Sequence, residues 1–189
     1  MKKISSLLCA LLVMTQLSGC FTAAVGGAAA GGTMAADRRT AGAYVEDENI
    51  EFKAFKKMET NLGEESHVNV TSINGNVLLT GEVPNAELKA KAETLAKSIT
   101  HVKNITNEIV IGMKSSMADR ANDTFITSKV KANLVAEKDF PSNAVKVVTE
   151  ASTVYLMGVV TQKEANLATE IARNTDGAKK VVKVFEYLP

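Results

Sequence analysis

Histidine and cysteine, two of each, are the scarce reactive residues of this 189-residue chain. His67 and His101 fall at an expected strand start and an expected helix end, with no Cys or Asp pair at ligand spacing. Cys9 lies inside an apolar N-terminal run, so only Cys20 is left, and neither a disulfide framework nor a Cys-based zinc site can be built. Glu64-Glu65 reads as a solvated pair, and no Gly-rich loop leads from a strand into a helix in phosphate-binding form. The expectation is therefore a protein that is not an enzyme and has neither metal nor cofactor. Two features keep a chemical meaning: Cys20, and an aromatic, Phe125, between lysines on a helix.

Met1-Lys2-Lys3 is a basic start, and Ile4 to Leu17 is an apolar run shaped like a secretory signal peptide and short for a bilayer span. It ends in Leu17-Ser18-Gly19-Cys20, which resembles the lipobox of bacterial lipoproteins. The resemblance implies removal of residues 1–19, a diacylglyceryl thioether on Cys20 and an acyl chain on its amino group; the alternative is an ordinary signal peptide with an incidental cysteine. Phe21 in place of Asp after the cysteine implies the outer membrane. Loss of the leader takes Lys2 and Lys3 from the 22 basic residues and leaves 20 against 21 acidic ones. That balance gives no support to nucleic-acid binding.

Phe125 belongs to a helix expected over about 124–137, with Asp123 as its N-cap. At 100° per residue, Ile126, Val130 and Leu134 point toward a core. Phe125, Ser128, Ala132, Val135 and Ala136 point away, flanked by Lys129 and Lys131. A solvated face normally carries long charged side chains; an aromatic among small residues between lysines suits a membrane interface. The competing reading makes Phe125 a core or interdomain residue.

The elements behind these residues come from a duplication. Asn76–Val83 matches Thr153–Val160 at an offset of 77, while Ile50, Ala54 and Met58 match Ile126, Val130 and Leu134 at 76. Each copy reads helix, two strands joined by a turn (Asn74-Gly75 strong, Glu150-Ala151-Ser152 weak), helix, strand. The second helices are expected over Ala86–Ile99 and Lys163–Asn174, with Leu88, Ala92, Leu95 and Ile99, and Leu167 and Ile171, inward. The last strands are expected over Asn104–Ile111 and Lys180–Leu188. The fold class is α+β, each unit α-β-β-α-β with helices packed on a three-stranded sheet. Residues 20–45 read as a Gly/Ala-rich tether spanning roughly 25–30 Å as a coil, with Arg38-Arg39 a solvated pair. The units are 46–114 and 119–189.

The strand-Thr/Met-Gly signature at Gly81 and Gly158, the Ala-rich second helix and Val102-Lys103-Asn104-Ile105 resemble the BON domain. Two copies behind a lipobox, with Asn122-Asp123-Thr124-Phe125-Ile126-Thr127, resemble the dual-BON outer-membrane lipoproteins of the division- and outer-membrane-stress-associated lipid-binding family. The resemblance implies a non-catalytic, periplasm-facing lipoprotein that binds anionic, phosphatidylglycerol-like phospholipid and supports outer-membrane integrity at division sites. It carries binding residues onto Thr124, Phe125, Ser128, Lys129 and Ala132, beside which Lys131 is the second flanking lysine. The family's usual aromatic there is Trp, so Phe keeps the apolar wedge and loses the indole N–H. The alternative is an adaptor for outer-membrane protein assembly factors. Residues 43–114 carry 8 basic and 11 acidic side chains and residues 119–189 carry 10 and 9, so only the second unit suits an anionic surface. Phe52 also points off its helix core; the sequence leaves its role open, with packing between the units as one reading and a lipid contact as another.

Overall fold

A computed structural model describes residues 38–138 and 140–189. The expected signal peptide, Cys20 and the tether up to residue 37 lie outside the described residues. Thr40 starts the first helix, its side-chain oxygen accepting from the Ala43 amide, so α1 (Ala41–Asn61) includes residues 41–45 of the expected tether. Its inward stripe, Asp47, Ile50, Ala54 and Met58, recurs every three or four residues, the spacing of one helical face.

Strands β1 (His67–Ile73) and β2 (Asn76–Val83) pair antiparallel through a turn in which Asn74 and Gly75 have φ of 52° and 78°. Two successive positive φ values mark a type I′ turn, which matches strand twist. Helix α2 (Ala86–Lys97), capped by Asn85, returns the chain to pair β3 (Asn104–Asn107) and β4 (Val110–Ile111) parallel to β2. These two pieces replace one expected strand, because the chain breaks at Glu108 and tucks Ile109 into the core.

The second unit repeats the plan with α3 (Met117–Ala136), a 3-10 turn (Ser142–Ala144), β5 (Val145–Glu150), β6 (Thr153–Val160), α4 (Gln162–Arg173) and an unbroken β7 (Lys180–Tyr187). On α4 it is Ala165, Ala168 and Ala172 that are fully buried, while the expected Leu167 and Ile171 pack at the edge. Small side chains let the helix backbone approach the sheet, and the larger residues fill the margins.

Alternation along the central strands gives each sheet two apolar faces. Val77, Leu79 and Val83 of β2 meet α1 and α2; Val154, Leu156 and Val160 of β6 meet α3 and α4. Their other faces meet each other, Ile73 and Leu78 against Tyr155 and Met157. The order of layers is therefore helices, sheet, sheet, helices, with α1 and α3 on opposite outer layers.

Polar contacts stitch the seam. Lys146 Nζ reaches Glu51 Oε1 at 2.7 Å, Asn69 Nδ2 donates to Glu150 Oε2 at 2.8 Å, and the amides of Asn74 and Asn76 donate to Glu186. Arg38-Arg39 is no solvated pair. Arg38 makes a two-pronged contact with Glu164 of α4, both bonds at 2.7 Å, and Arg39 pairs with buried Asp47 at 2.8 Å. The arm entering α1 is thus held by both units.

Candidate lipid-contact surface

Helix α3 starts seven residues before the expected Thr124. A capping box sets the start: the Ser116 hydroxyl accepts from the Asp119 amide and Asp119 accepts from the Ser116 amide, each at 3.1 Å. The Ser116 hydroxyl, 2.6 Å from Asp119 Oδ2, and then the Ser116 amide hold the Asp119 carboxyl below its usual range. Asp123 is therefore not the N-cap. It is buried in mid-helix and accepts from the backbone amides of Ala151 and Ser152 at 2.9 and 2.8 Å. An Asp just ahead of an apolar stripe looks like a cap; here it fastens a strand turn to the helix.

Ile126, Val130 and Leu134 face the core, and Phe125 is 59% exposed. Thr124, Ser128, Lys131 and Ala132 are exposed beside it and Lys129 is half-buried. The Lys129 ammonium sits 4.7 Å from the centre of the Phe125 ring and also reaches the Asp176 carbonyl at 3.4 Å. The Thr124 and Ser128 hydroxyls donate to the Arg120 and Thr124 carbonyls, so their polar hydrogens turn back onto the helix. At 100° per residue these six side chains share the outward half of α3. Lys129 bounds one edge and Lys131 the other, with Val135, 69% exposed, between them. Met117, 75% exposed, extends the apolar surface into the turn that sequence reasoning left out of the helix.

The first unit is not bare. Phe52 is 64% exposed on the outer side of α1 and does not pack between the units. Phe55, 51% exposed and one turn on, was not singled out by sequence, although its i+3 spacing from Phe52 was the available signal.

Near the seam, the Glu150 carboxyl is buried and pushed up to about 7, chiefly by desolvation, with Glu82 and Asp123 adding to the rise. His67, 4.0 Å from Glu150, is held below its usual value by burial and then by Arg120. Among the described residues no group of three or more His, Cys, Asp or Glu is placed to hold a metal ion, and no helix is long and apolar enough to cross a membrane.

The BON-domain family model matches residues 46–113 and 122–189. The chain belongs to the BON-domain family. Each matched BON stretch begins inside a first helix, beyond its opening turn. The chain is 40% identical over 190 residues to the outer membrane lipoprotein DolP of Haemophilus influenzae, covering 100% of this chain and 97% of that one. It is 36% identical to a 21 kDa hemolysin of Actinobacillus pleuropneumoniae, over 82% of this chain and 81% of that protein. It is 33% identical to the osmotically-inducible protein Y of Escherichia coli, over 56% and 54%. Within this BON pair, the buried Asp47 and Asp123, the hairpins and the Gly81 and Gly158 positions coincide between units, whereas the outer faces of α1 and α3 differ.

Proposed function

We propose that the chain is a lipoprotein held in the outer membrane by acylated Cys20, facing the periplasm, that contacts anionic phospholipid through the outer face of α3. It acts by binding and catalyses nothing. The observation that carries this reading is Phe125, exposed among small residues with Lys129 over its ring and Lys131 on the opposite edge. Full-length similarity to a protein named an outer membrane lipoprotein supports the location.

The energetics fit a tethered contact. Burying a phenyl ring contributes about 1.5–3 kcal/mol, and each lysine adds about 1 kcal/mol near an anionic leaflet. About 4 kcal/mol alone corresponds to roughly millimolar affinity. A membrane anchor raises the effective concentration enough to occupy such a site. The anchor retains the protein, and α3 responds to lipid composition. Enrichment at division sites belongs to the same reading.

Flotation with vesicles of phosphatidylglycerol alone tests the surface: Phe125→Glu should stay at the bottom of the gradient and the parent chain should rise. Equal flotation of both would sink the assignment. Labelling with a palmitate analogue tests the anchor, because Cys20→Ala should carry no label.

A further inference from the structure

We propose that α1 carries a second membrane-contacting face, on the outer layer opposite α3, that takes up zwitterionic lipid. Tyr44, Val45, Phe52 and Phe55 are 39%, 57%, 64% and 51% exposed. At 100° per residue they fall within an arc of about 100° on one helix. Phe55 also lines a cleft of 270 Å³ walled by Met58, Leu62 and Val68 together with Glu64, His67 and Lys114. Phe52 and Phe55 adjoin at i, i+3, with exposed Glu48 between them and Tyr44; adjoining exposed aromatics mark a contact site rather than ordinary surface.

The charge around the stripe separates it from α3. Glu48 and Glu59 lie within that arc and Glu46, Glu64 and Glu65 beside it, against Lys53 and Lys56, and Lys56 already pairs with Glu59 at 3.2 Å. These carboxylates oppose an anionic leaflet and tolerate a zwitterionic one.

The course of the chain argues for a lipid surface as the occupant. Thr40, the cap of α1, stands 20 residues after Cys20. The last stretch of that connection is fixed by Arg38 on Glu164 and by Arg39, which pairs with Asp47 and lies 5.0 Å from the centre of the Tyr44 ring. The anchored chain thus enters at the seam between units, beside the Tyr44 end of the stripe. From a seam either outer layer can turn toward the membrane. Because α1 and α3 lie on opposite layers, one flat bilayer meets one face at a time, and two bilayers can be held at once. This inference rests on the Cys20 anchor proposed above and not on the α3 contact.

The test uses the processed chain, residues 20–189, carrying Cys20→Ser so that no acyl group contributes. Vesicles are phosphatidylcholine alone, or phosphatidylcholine with a minority of phosphatidylglycerol. The parent should sediment with both and cluster the mixed vesicles in light scattering. Phe52→Ser with Phe55→Ser should lower phosphatidylcholine binding by about tenfold or more, the scale of losing buried aromatic contact. It should abolish clustering and keep phosphatidylglycerol-dependent binding. Phe125→Glu should show the reverse lipid dependence, so failure of the α3 reading stays separable. Val45→Ser, away from the cleft, serves as a second variant and should weaken phosphatidylcholine binding with an unchanged thermal midpoint. A double variant that binds phosphatidylcholine like the parent overturns the proposal. So does a photocrosslinker at position 52 that yields protein adducts and no lipid adducts in cells.

Discussion

Asp47 and Asp123 hold the same place in the two units, and each carboxylate accepts both backbone amides of the hairpin turn beneath it. Asp47 takes Asn74 and Gly75 at 2.7 and 2.9 Å; Asp123 takes Ala151 and Ser152 at 2.9 and 2.8 Å. Burial alone would raise the Asp47 pKa, yet its bonds from Ser72, Gly75, Arg39 and Asn74 keep it below the usual value. The second turn needs its aspartate more. Ala151 and Ser152 have φ of 49° and 60°, a conformation that costs a non-glycine residue about 1–2 kcal/mol.

Replacing Asp123 by Ala should therefore destabilise the chain by about 3 kcal/mol in urea titration, since two charge-assisted bonds to a buried site vanish. Giving the second turn the Asn-Gly sequence of the first, Ala151→Asn with Ser152→Gly, should raise stability by about 1 kcal/mol. In that background Asp123→Ala should cost less. An unchanged cost would show that the aspartate does not support the turn.

Gly81 should tolerate no side chain. Its φ is +109°, and a Cβ added there would collide with the His67 carbonyl oxygen across the hairpin. Both the backbone angle and the strand pairing would have to yield, so Gly81→Ala should abolish the cooperative unfolding transition of the first unit. A normal melt would mean that β1 can move aside.

Glu150 gives the domain pair a pH dependence. Its folded carboxyl binds a proton more tightly than an unfolded one does near 4.5, and its folded value is about 7. The resulting stability is fully present below about pH 4.5 and is lost as pH rises through about 7. Glu150→Gln keeps an acceptor for Asn69, removes the buried charge, and should raise stability at pH 8 by about 2–3 kcal/mol. Thermal melts of the variant should be flat across the window in which the parent declines.

The duplicated apolar stripes and the Asn74-Gly75 turn were legible in the sequence because they depend on local period and turn chemistry. What escaped depended on partners distant in sequence. Asp123 read as a helix cap because the turn it binds is 28 residues away. Arg38 read as solvated because Glu164 is 126 residues away. On α4, bulk suggested that Leu167 and Ile171 face inward, whereas close helix–sheet approach selects Ala165, Ala168 and Ala172. Phe52 showed its outward direction in the sequence, but the stripe it forms with Tyr44, Val45 and Phe55 needed residues 41–45 to be helical.

Adjacent residues on α3 separate binding from folding. Phe125 is 59% exposed and Ile126 is 1% exposed, so the same substitution meets water at one position and the core at the next. Phe125→Glu should leave the thermal midpoint nearly unchanged, within about 0.5 kcal/mol, because the new carboxylate stays hydrated near Lys129. It should also end binding to phosphatidylglycerol vesicles, having removed the wedge and added a repelling charge. Ile126→Glu should unfold the second unit, since a carboxylate among Val130, Leu134 and Val147 has neither water nor a partner. The sheets meet through Ile73, Leu78, Tyr155 and Met157, so that loss should also lower the midpoint of the first unit. A large stability loss in Phe125→Glu would instead make Phe125 a packing residue and remove α3 as the lipid face.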